Sequence, residues 1–217
     1  SLGALMSGQW RASEARLEGA ELAARLDESG RLDWLVPAIA IDPDSIAIER
    51  LDVVDSRAMF SDATSGAQIV LDKLEFRGEL RSLLGPVKGE GSFVHAGHRY
   101  PYRIATSRAG ETGMRVRLNL DPVDRPLIAE TDVLIAIEHG VPRFEGSLQL
   151  ARPVGRTSDG IIQPWRFTSR IRGDSASAVL EQIEFQYGPE DRAIRLRGDA
   201  NLAFGVSPQL VVSLAST

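Results

Sequence analysis

The residues of this chain that could do chemistry are few, and the histidines come first. His95 and His98 have the H-x-x-H spacing of a metal-binding pair. They flank Ala96-Gly97, which is typical of a tight hairpin turn, and no carboxylate or third histidine lies nearby. A zinc site needs three or four ligands, and His139 stands alone in another turn. Solvated loop histidines are the better interpretation, so we expect no metal site.

Paired acids are the second candidate for chemistry. Asp42-Pro43-Asp44 and Asp121-Pro122-Val123-Asp124 resemble calcium-binding or catalytic pairs. An EF-hand loop that starts at Asp42 requires Gly and Glu at its sixth and twelfth positions, where this chain has Ala47 and Val53. Asp followed by Pro is also a common way to open a turn. Turn chemistry is therefore favoured over a glycosidase-type acid pair.

No other catalytic motif is complete. The segment Gly89–Val94 begins like a dinucleotide-binding loop, but its sixth residue is Val and no helix follows it. The chain has no cysteine, which excludes disulfides and zinc–thiolate sites. Trp10, Trp34 and Trp165 are far apart in the sequence, so a carbohydrate-active β protein is a minor alternative. We predict that the protein is not an enzyme and uses no cofactor.

Charge and hydropathy exclude further classes. The net charge is −5, with 30 acidic and 25 basic residues well mixed, and no basic block marks a nucleic-acid surface. No apolar run approaches the ~20 residues that cross a bilayer. Ser1-Leu2-Gly3 does not look like a native start, so we expect a section of a longer protein.

The elements that would position any site are strands. In Met114–Leu120 every even-numbered residue is apolar and every odd-numbered residue is polar, and the pattern recurs at 132–138, 143–150 and 209–214. We count about fourteen strand candidates joined by short turns, which favours an antiparallel meander. Strands are preferred to a helix at Glu14–Leu26, because Gly19 interrupts it and a turn follows.

The organisation along the chain is simple. We predict a β-groove section at 1–152, a crossover loop or linker at 153–164, and a continuation of the groove at 165–217. A weak internal repeat relates Arg16–Gly30 to Arg50–Gly66, since both end in a Ser-Gly turn.

The apolar strand face is the remaining feature that could carry a function. Alternation alone favours an ordinary β-sandwich core, although a lipid-binding groove would produce the same pattern. The candidate groove-lining residues are Ile46, Ile48, Leu71, Leu74, Phe76, Val116, Leu118, Leu120, Ile135, Ile137, Leu148, Leu150, Phe185 and Leu196.

The sequence motifs of the chain favour the groove over the sandwich core. Leu71–Leu80 has the pattern l-x-x-l-x-f-x-G-x-L, and it is followed by Gly85-Pro86 and a strand that ends in Gly91-Ser92-Phe93. Similar motifs occur at Val141–Leu148 and Ala178–Gly198. This succession resembles the AsmA family of Gram-negative envelope proteins.

The resemblance implies a fold, a place and a role. AsmA-like proteins are anchored to the inner membrane, and their periplasmic part is a repeating, curved β-groove that is apolar inside. They are thought to carry phospholipid toward the outer membrane and so support its assembly. The resemblance therefore implies a long curved antiparallel sheet in the periplasm, which shields the acyl chains of phospholipid or of another lipid.

Two consequences of this interpretation are testable. The membrane anchor would lie outside this section, and the open sheet edges of the section are expected to self-associate. The alternative is a structural or protein-interaction β module with a packed core.

Overall fold

The computed structural model describes residues 10–34, 46–80, 86–110, 113–122, 127–157 and 160–216. In these ranges the chain is almost entirely β-strand, with one short 3₁₀ helix at Glu190–Arg192. The period-two alternation is the cause, because successive side chains of a strand point to opposite faces. The all-β prediction is confirmed, and Glu14–Leu26 forms strands. No helix of the described ranges is long and apolar enough to cross a bilayer.

Seventeen strands are present among the described residues. In chain order they are β1 (Trp10–Ala12), β2 (Ala15–Glu18), β3 (Glu21–Leu26), β4 (Leu32–Trp34), β5 (Ile46–Asp62), β6 (Gln68–Leu80), β7 (Val87–His95), β8 (His98–Ala109), β9 (Gly113–Leu120), β10 (Ile128–Glu138), β11 (Val141–Arg152), β12 (Gly155–Thr157), β13 (Gly160–Ile162), β14 (Trp165–Asp174), β15 (Ser177–Tyr187), β16 (Ile194–Ala203) and β17 (Gln209–Ser216).

Fifteen of these strands form one sheet. Its order is β17-β16-β15-β14-β11-β10-β9-β8-β7-β6-β5-β3-β4, and β1 and β2 also pair with β5. From β5 to β17 each strand of this sheet is antiparallel to the next one, so the predicted meander is confirmed. The segment 153–164, predicted as a crossover or linker, contains the separate hairpin β12–β13. The strands on either side of it, β11 and β14, are direct antiparallel neighbours.

The chain forms an open, curved sheet and not a β-sandwich. Two sheets that pack face to face bury large side chains between them. Here no large side chain of the described residues is fully buried, and the sandwich alternative is therefore wrong. The buried apolar residues are mostly small: Ala24, Ala58, Leu80, Ala178, Ile183 and Ala200.

One edge of the sheet departs from the antiparallel expectation. The strands β1, β2 and β3 all run parallel to β5. Their partners lie 36 residues away in sequence, as where the Ala20 N–H donates to Ser56 Oγ over 3.1 Å. The pairings of β2 and β3 with β5 bring together the two copies of the weak repeat. Both copies end in a turn in which a carboxylate, Asp27 or Asp62, accepts a backbone N–H two residues later.

The sheet has two chemically distinct faces. Val116, Leu118 and Leu120 lie on one side of β9, which we call the apolar face. Arg117 and Asn119 lie on the other side, which we call the polar face. Residues directly opposite each other on neighbouring strands share a face, so the register extends both definitions across the sheet.

Three β-bulges keep apolar residues on the apolar face. Asp55, Lys73 and Gln182 have φ values of 47°, 47° and 54°, and each lies where the strand register shifts. A bulge inserts one residue into a strand and so resets the alternation. For this reason Leu71 and Leu74, three residues apart, lie on the same face.

Glycines in the strands bend the sheet toward the apolar face. A Cβ at Gly198 would overlap the Ser213 carbonyl and lie 3.0 Å from Leu214 Cα, so the neighbouring strand leans over this position. Glycines inside strands mark such bends. The apolar face is therefore concave where they occur. The mid-strand glycines on that face are Gly78, Gly89, Gly91, Gly146, Gly173 and Gly198.

Adding a methyl group at such a bend will destabilise the sheet. We expect Gly198→Ala to lower the free energy of unfolding by about 1–3 kcal/mol, because neighbouring backbone must move to admit the Cβ. Gly155→Ala is the matched control, since its Cβ would meet Ile162 at an ordinary 3.6 Å. Urea unfolding followed by circular dichroism measures both changes, and equal losses for the two variants would contradict the bend.

Candidate functional site: the concave apolar face

The strand register brings distant apolar residues onto one surface. Leu118 of β9 lies opposite Ile104 of β8 and Thr131 of β10. Thr131 in turn lies opposite Leu148 of β11, and Leu150 lies opposite Phe167 of β14. The apolar face is therefore continuous across the middle of the sheet.

Following the pairings in both directions locates the predicted lining residues. Ile46 lies in β5, and its side chain is outside the described residues. The other predicted residues all lie on the apolar face: Ile48, Leu71, Leu74, Phe76, Val116, Leu118, Leu120, Ile135, Ile137, Leu148, Leu150, Phe185 and Leu196.

Aromatic residues that the sequence analysis did not select also lie on this face. Phe93 stacks on Tyr100 with ring centroids 5.3 Å apart and lies 5.9 Å from the ring of Tyr102. Trp165 and Phe185 form a second pair, at 6.3 Å. The tyrosines could have been found by counting them as apolar in 98–106, where they occupy alternate positions.

Tyr102 shows how a polar atom is accommodated beside the apolar face. Its hydroxyl donates a hydrogen bond to the Glu75 carbonyl over 3.0 Å. Burial raises the pKa of Tyr102 to about 12, so the phenol is neutral at physiological pH. The ring can therefore line an apolar surface without adding a charge to it.

The apolar face is not covered by other parts of the described chain. The protein exposes 14679 Å², whereas a compact monomer of 23.6 kDa exposes about 9,800 Å². Ile69 and Ile137 retain 50% and 45% of their surface in contact with solvent. Val116, Leu118 and Leu148, in the middle of the face, are half-buried, so the face continues from a half-buried centre to exposed side chains near the strand ends. Continuous apolar surface of this kind is characteristic of a binding surface.

The polar face carries many solvent-exposed ion pairs. Asp132 accepts hydrogen bonds from Arg115 Nε at 2.6 Å and Arg117 Nε at 3.0 Å. The Arg115 hydrogen bond is the largest cause that lowers the pKa of Asp132. Arg172 pairs with Glu181 at 2.7 Å on the same face. These charges keep the polar face in water.

A large concavity lies on the polar face. It measures about 820 Å³ and is lined by side chains of both signs, including Arg77, Glu90, Arg103 and Asp132. A strongly twisted sheet is saddle-shaped, so each face is concave in one direction. Because acids and bases alternate around it, this trough offers no concentrated charge to a ligand.

The residues considered for chemistry are dispersed. His95 and His98 face each other across the hairpin, and the positive φ of Ala96 and Gly97 confirms the predicted tight turn. His95 Nδ1 lies 2.9 Å from the Val70 carbonyl oxygen. Asp42, Asp44 and Asp124 lie outside the described residues.

No protein-family model, curated protein or solved structure matches this chain. Its function must therefore be inferred from its own geometry. Among the residues whose positions are described, no three acids or histidines converge as a metal-binding group. The apolar face is continuous across the described strands, and it is suited to binding hydrocarbon.

Proposed function

We propose that this chain is a non-enzymatic lipid-binding module that shields acyl chains on its concave apolar face. The observation that carries the proposal is that one uncovered face collects the apolar side chains of nearly every strand while the opposite face carries ion pairs. Such a surface is a track for hydrocarbon.

The energetics of lipid transfer fit this architecture. Exposing about 14 methylenes of one acyl chain to water costs roughly 11 kcal/mol, at ~0.8 kcal/mol each. A continuous apolar surface removes most of that cost, and the polar head group stays hydrated at the edge of the curve. No bond needs to be made or broken.

The AsmA-like sequence motifs support a specific cellular location and cargo for this surface. In our proposal the module belongs to an inner-membrane-anchored protein of the periplasm, and its cargo is phospholipid on the way to the outer membrane. The motif Leu71–Leu80 lies in β6, and its apolar residues Leu74, Phe76 and Leu80 lie on the apolar face. Residues typical of that family thus contribute to the surface that would bind the lipid.

Co-purified lipid provides the direct test. Protein produced in Gram-negative cells and purified without detergent is expected to carry phospholipid, which native mass spectrometry detects as adducts of about 700 Da. Extraction and chromatography of the bound lipid would identify the head group. A lipid-free protein that also fails to bind a fluorescent fatty acid would contradict the proposal.

A further inference from the structure

The sheet curls until strand ends from its two halves meet. Gly30, in the turn after β3, has no room for a side chain because Ser175, in the turn after β14, occupies that space. A Cβ at Gly140, after β10, would lie 2.8 Å from Arg31 Nε. Seven strand-to-strand steps separate β5 from β14. At about 20–25° each, the twist reverses the strand direction and brings opposite ends together.

This meeting place, which we call the seam, contains an open cavity of about 410 Å³, which we call the seam cavity. Leu26 and Ala67 form one wall, and Phe144 and Phe204 contribute to the other. Phe144 also lies opposite Ile135 on the apolar face, so the seam cavity and the apolar face share a wall.

The charged groups that line the seam cavity are acidic. Asp62 accepts hydrogen bonds from the Thr64 N–H and from the Ser65 hydroxyl, and the latter is the largest cause that lowers its pKa. Asp174 accepts from the N–H groups of Ala176 and Ser177. The described lining residues of the cavity include no base. Two carboxylates without a basic residue in the lining disfavour an anionic head group and leave the apolar walls available to hydrocarbon.

We propose that the seam cavity binds the methyl end of an acyl chain, with the anionic head group held away from the seam along the apolar face. This inference rests on the proposed function and adds the orientation of the bound acyl chain. The cavity sets the orientation of the chain, and its fixed walls limit how far the chain can advance.

Spin-labelled fatty acids test the orientation on the unmodified protein. Stearate carries a nitroxide either near its carboxylate, in 5-doxylstearate, or near its methyl end, in 16-doxylstearate. Added to ¹⁵N-labelled protein, 16-doxylstearate is expected to broaden the amide signals of Ala67 and Ser175 more than 5-doxylstearate does. The 5-doxyl label is expected to broaden signals farther along the apolar face, and reduction of the nitroxide by ascorbate restores both sets.

A chain-length series gives an independent readout. In the native protein each added methylene that reaches the cavity raises the affinity by up to about fourfold. Ala67→Phe fills part of the cavity, so it should weaken palmitate binding more than laurate binding. Ala109→Phe, outside the seam cavity, is the control and should preserve the native series.

The outcomes separate the two proposals. Equal broadening by the two labels at Ala67 and Ser175, or stronger broadening by 5-doxylstearate, overturns the seam assignment while leaving acyl binding intact. An equal loss of laurate and palmitate affinity in Ala67→Phe also overturns it. If neither label broadens any signal of the apolar-face residues, the proposed function itself fails.

Discussion

Replacing Leu118 by glutamate will weaken the binding of a fluorescent fatty acid by about tenfold or more, which corresponds to at least ~1.4 kcal/mol. Leu118 lies in the middle of the apolar face, opposite Ile104 and Thr131. A carboxylate there must either lose hydration against the acyl chain or keep water in the groove, and both outcomes oppose binding. Titration of the probe into the purified variant measures the effect.

Ala105→Glu is the matched control. Ala105 lies on the polar face, opposite Lys88 and Arg117, so the same new charge would meet two bases and remain in water. We expect its affinity for the probe to equal that of the native protein. Circular dichroism verifies that both variants keep the sheet, and equal losses of affinity would show that the apolar face has no special part in binding.

Placing lysine at Val211 will weaken the self-association that we expect through β17. Among the described strands β17 pairs only with β16, and all eight of its residues, none of them charged, are exposed. Such an edge is a template for another strand. In an antiparallel pair of two copies, Val211 lies near the two-fold axis, so two lysines repel each other. We expect the dissociation constant of the dimer to rise by about tenfold or more.

Sedimentation velocity over a range of protein concentrations tests this expectation. Val206→Lys is the control, because Val206 is 79% exposed in the loop before β17 and adds the same charge away from the edge. The control should associate like the native chain. A native protein that stays monomeric at the highest concentration would show that β17 does not pair with a second copy.

The faces of the sheet could be predicted from the sequence because burial on one side imposes a period of two. Met114–Leu120 shows that period without interruption, and its residues lie where the alternation places them. Leu71 and Leu74 do not follow it, since they are three residues apart. Two consecutive polar residues, Asp72 and Lys73, separate them and mark the bulge that restores the face.

The direction of strand pairing at the N-terminal edge could not be predicted in the same way. Alternation states which side chains share a face and says nothing about the neighbour of a strand. The repeat between Arg16–Gly30 and Arg50–Gly66 was the available signal, because similar segments can stack in register as parallel strands. The seam could not be predicted either, because it arises from twist that accumulates over many strands.

The sequence predicted the apolar surface but only part of the set of residues that line it. Aliphatic side chains are recognised by their hydropathy. Tyr100 and Tyr102 were not selected because each carries a hydroxyl group. The rings nevertheless lie on the apolar face, stacked with or tilted against Phe93. Trp165 was considered only as one of three tryptophans that could bind a sugar, and it instead begins β14 and lies beside Phe185.

The scarcity of buried large side chains has a consequence for how such a module can change over time. Each strand of the meander from β5 to β17 is stabilised by its immediate neighbours, as in a linear array of coupled units. A hairpin inserted or deleted between two strands alters the length of the apolar surface, and every remaining strand keeps as many partners as before. A closed core would have to be repacked after such an event. The reach of the surface and the stability of its parts can therefore evolve independently.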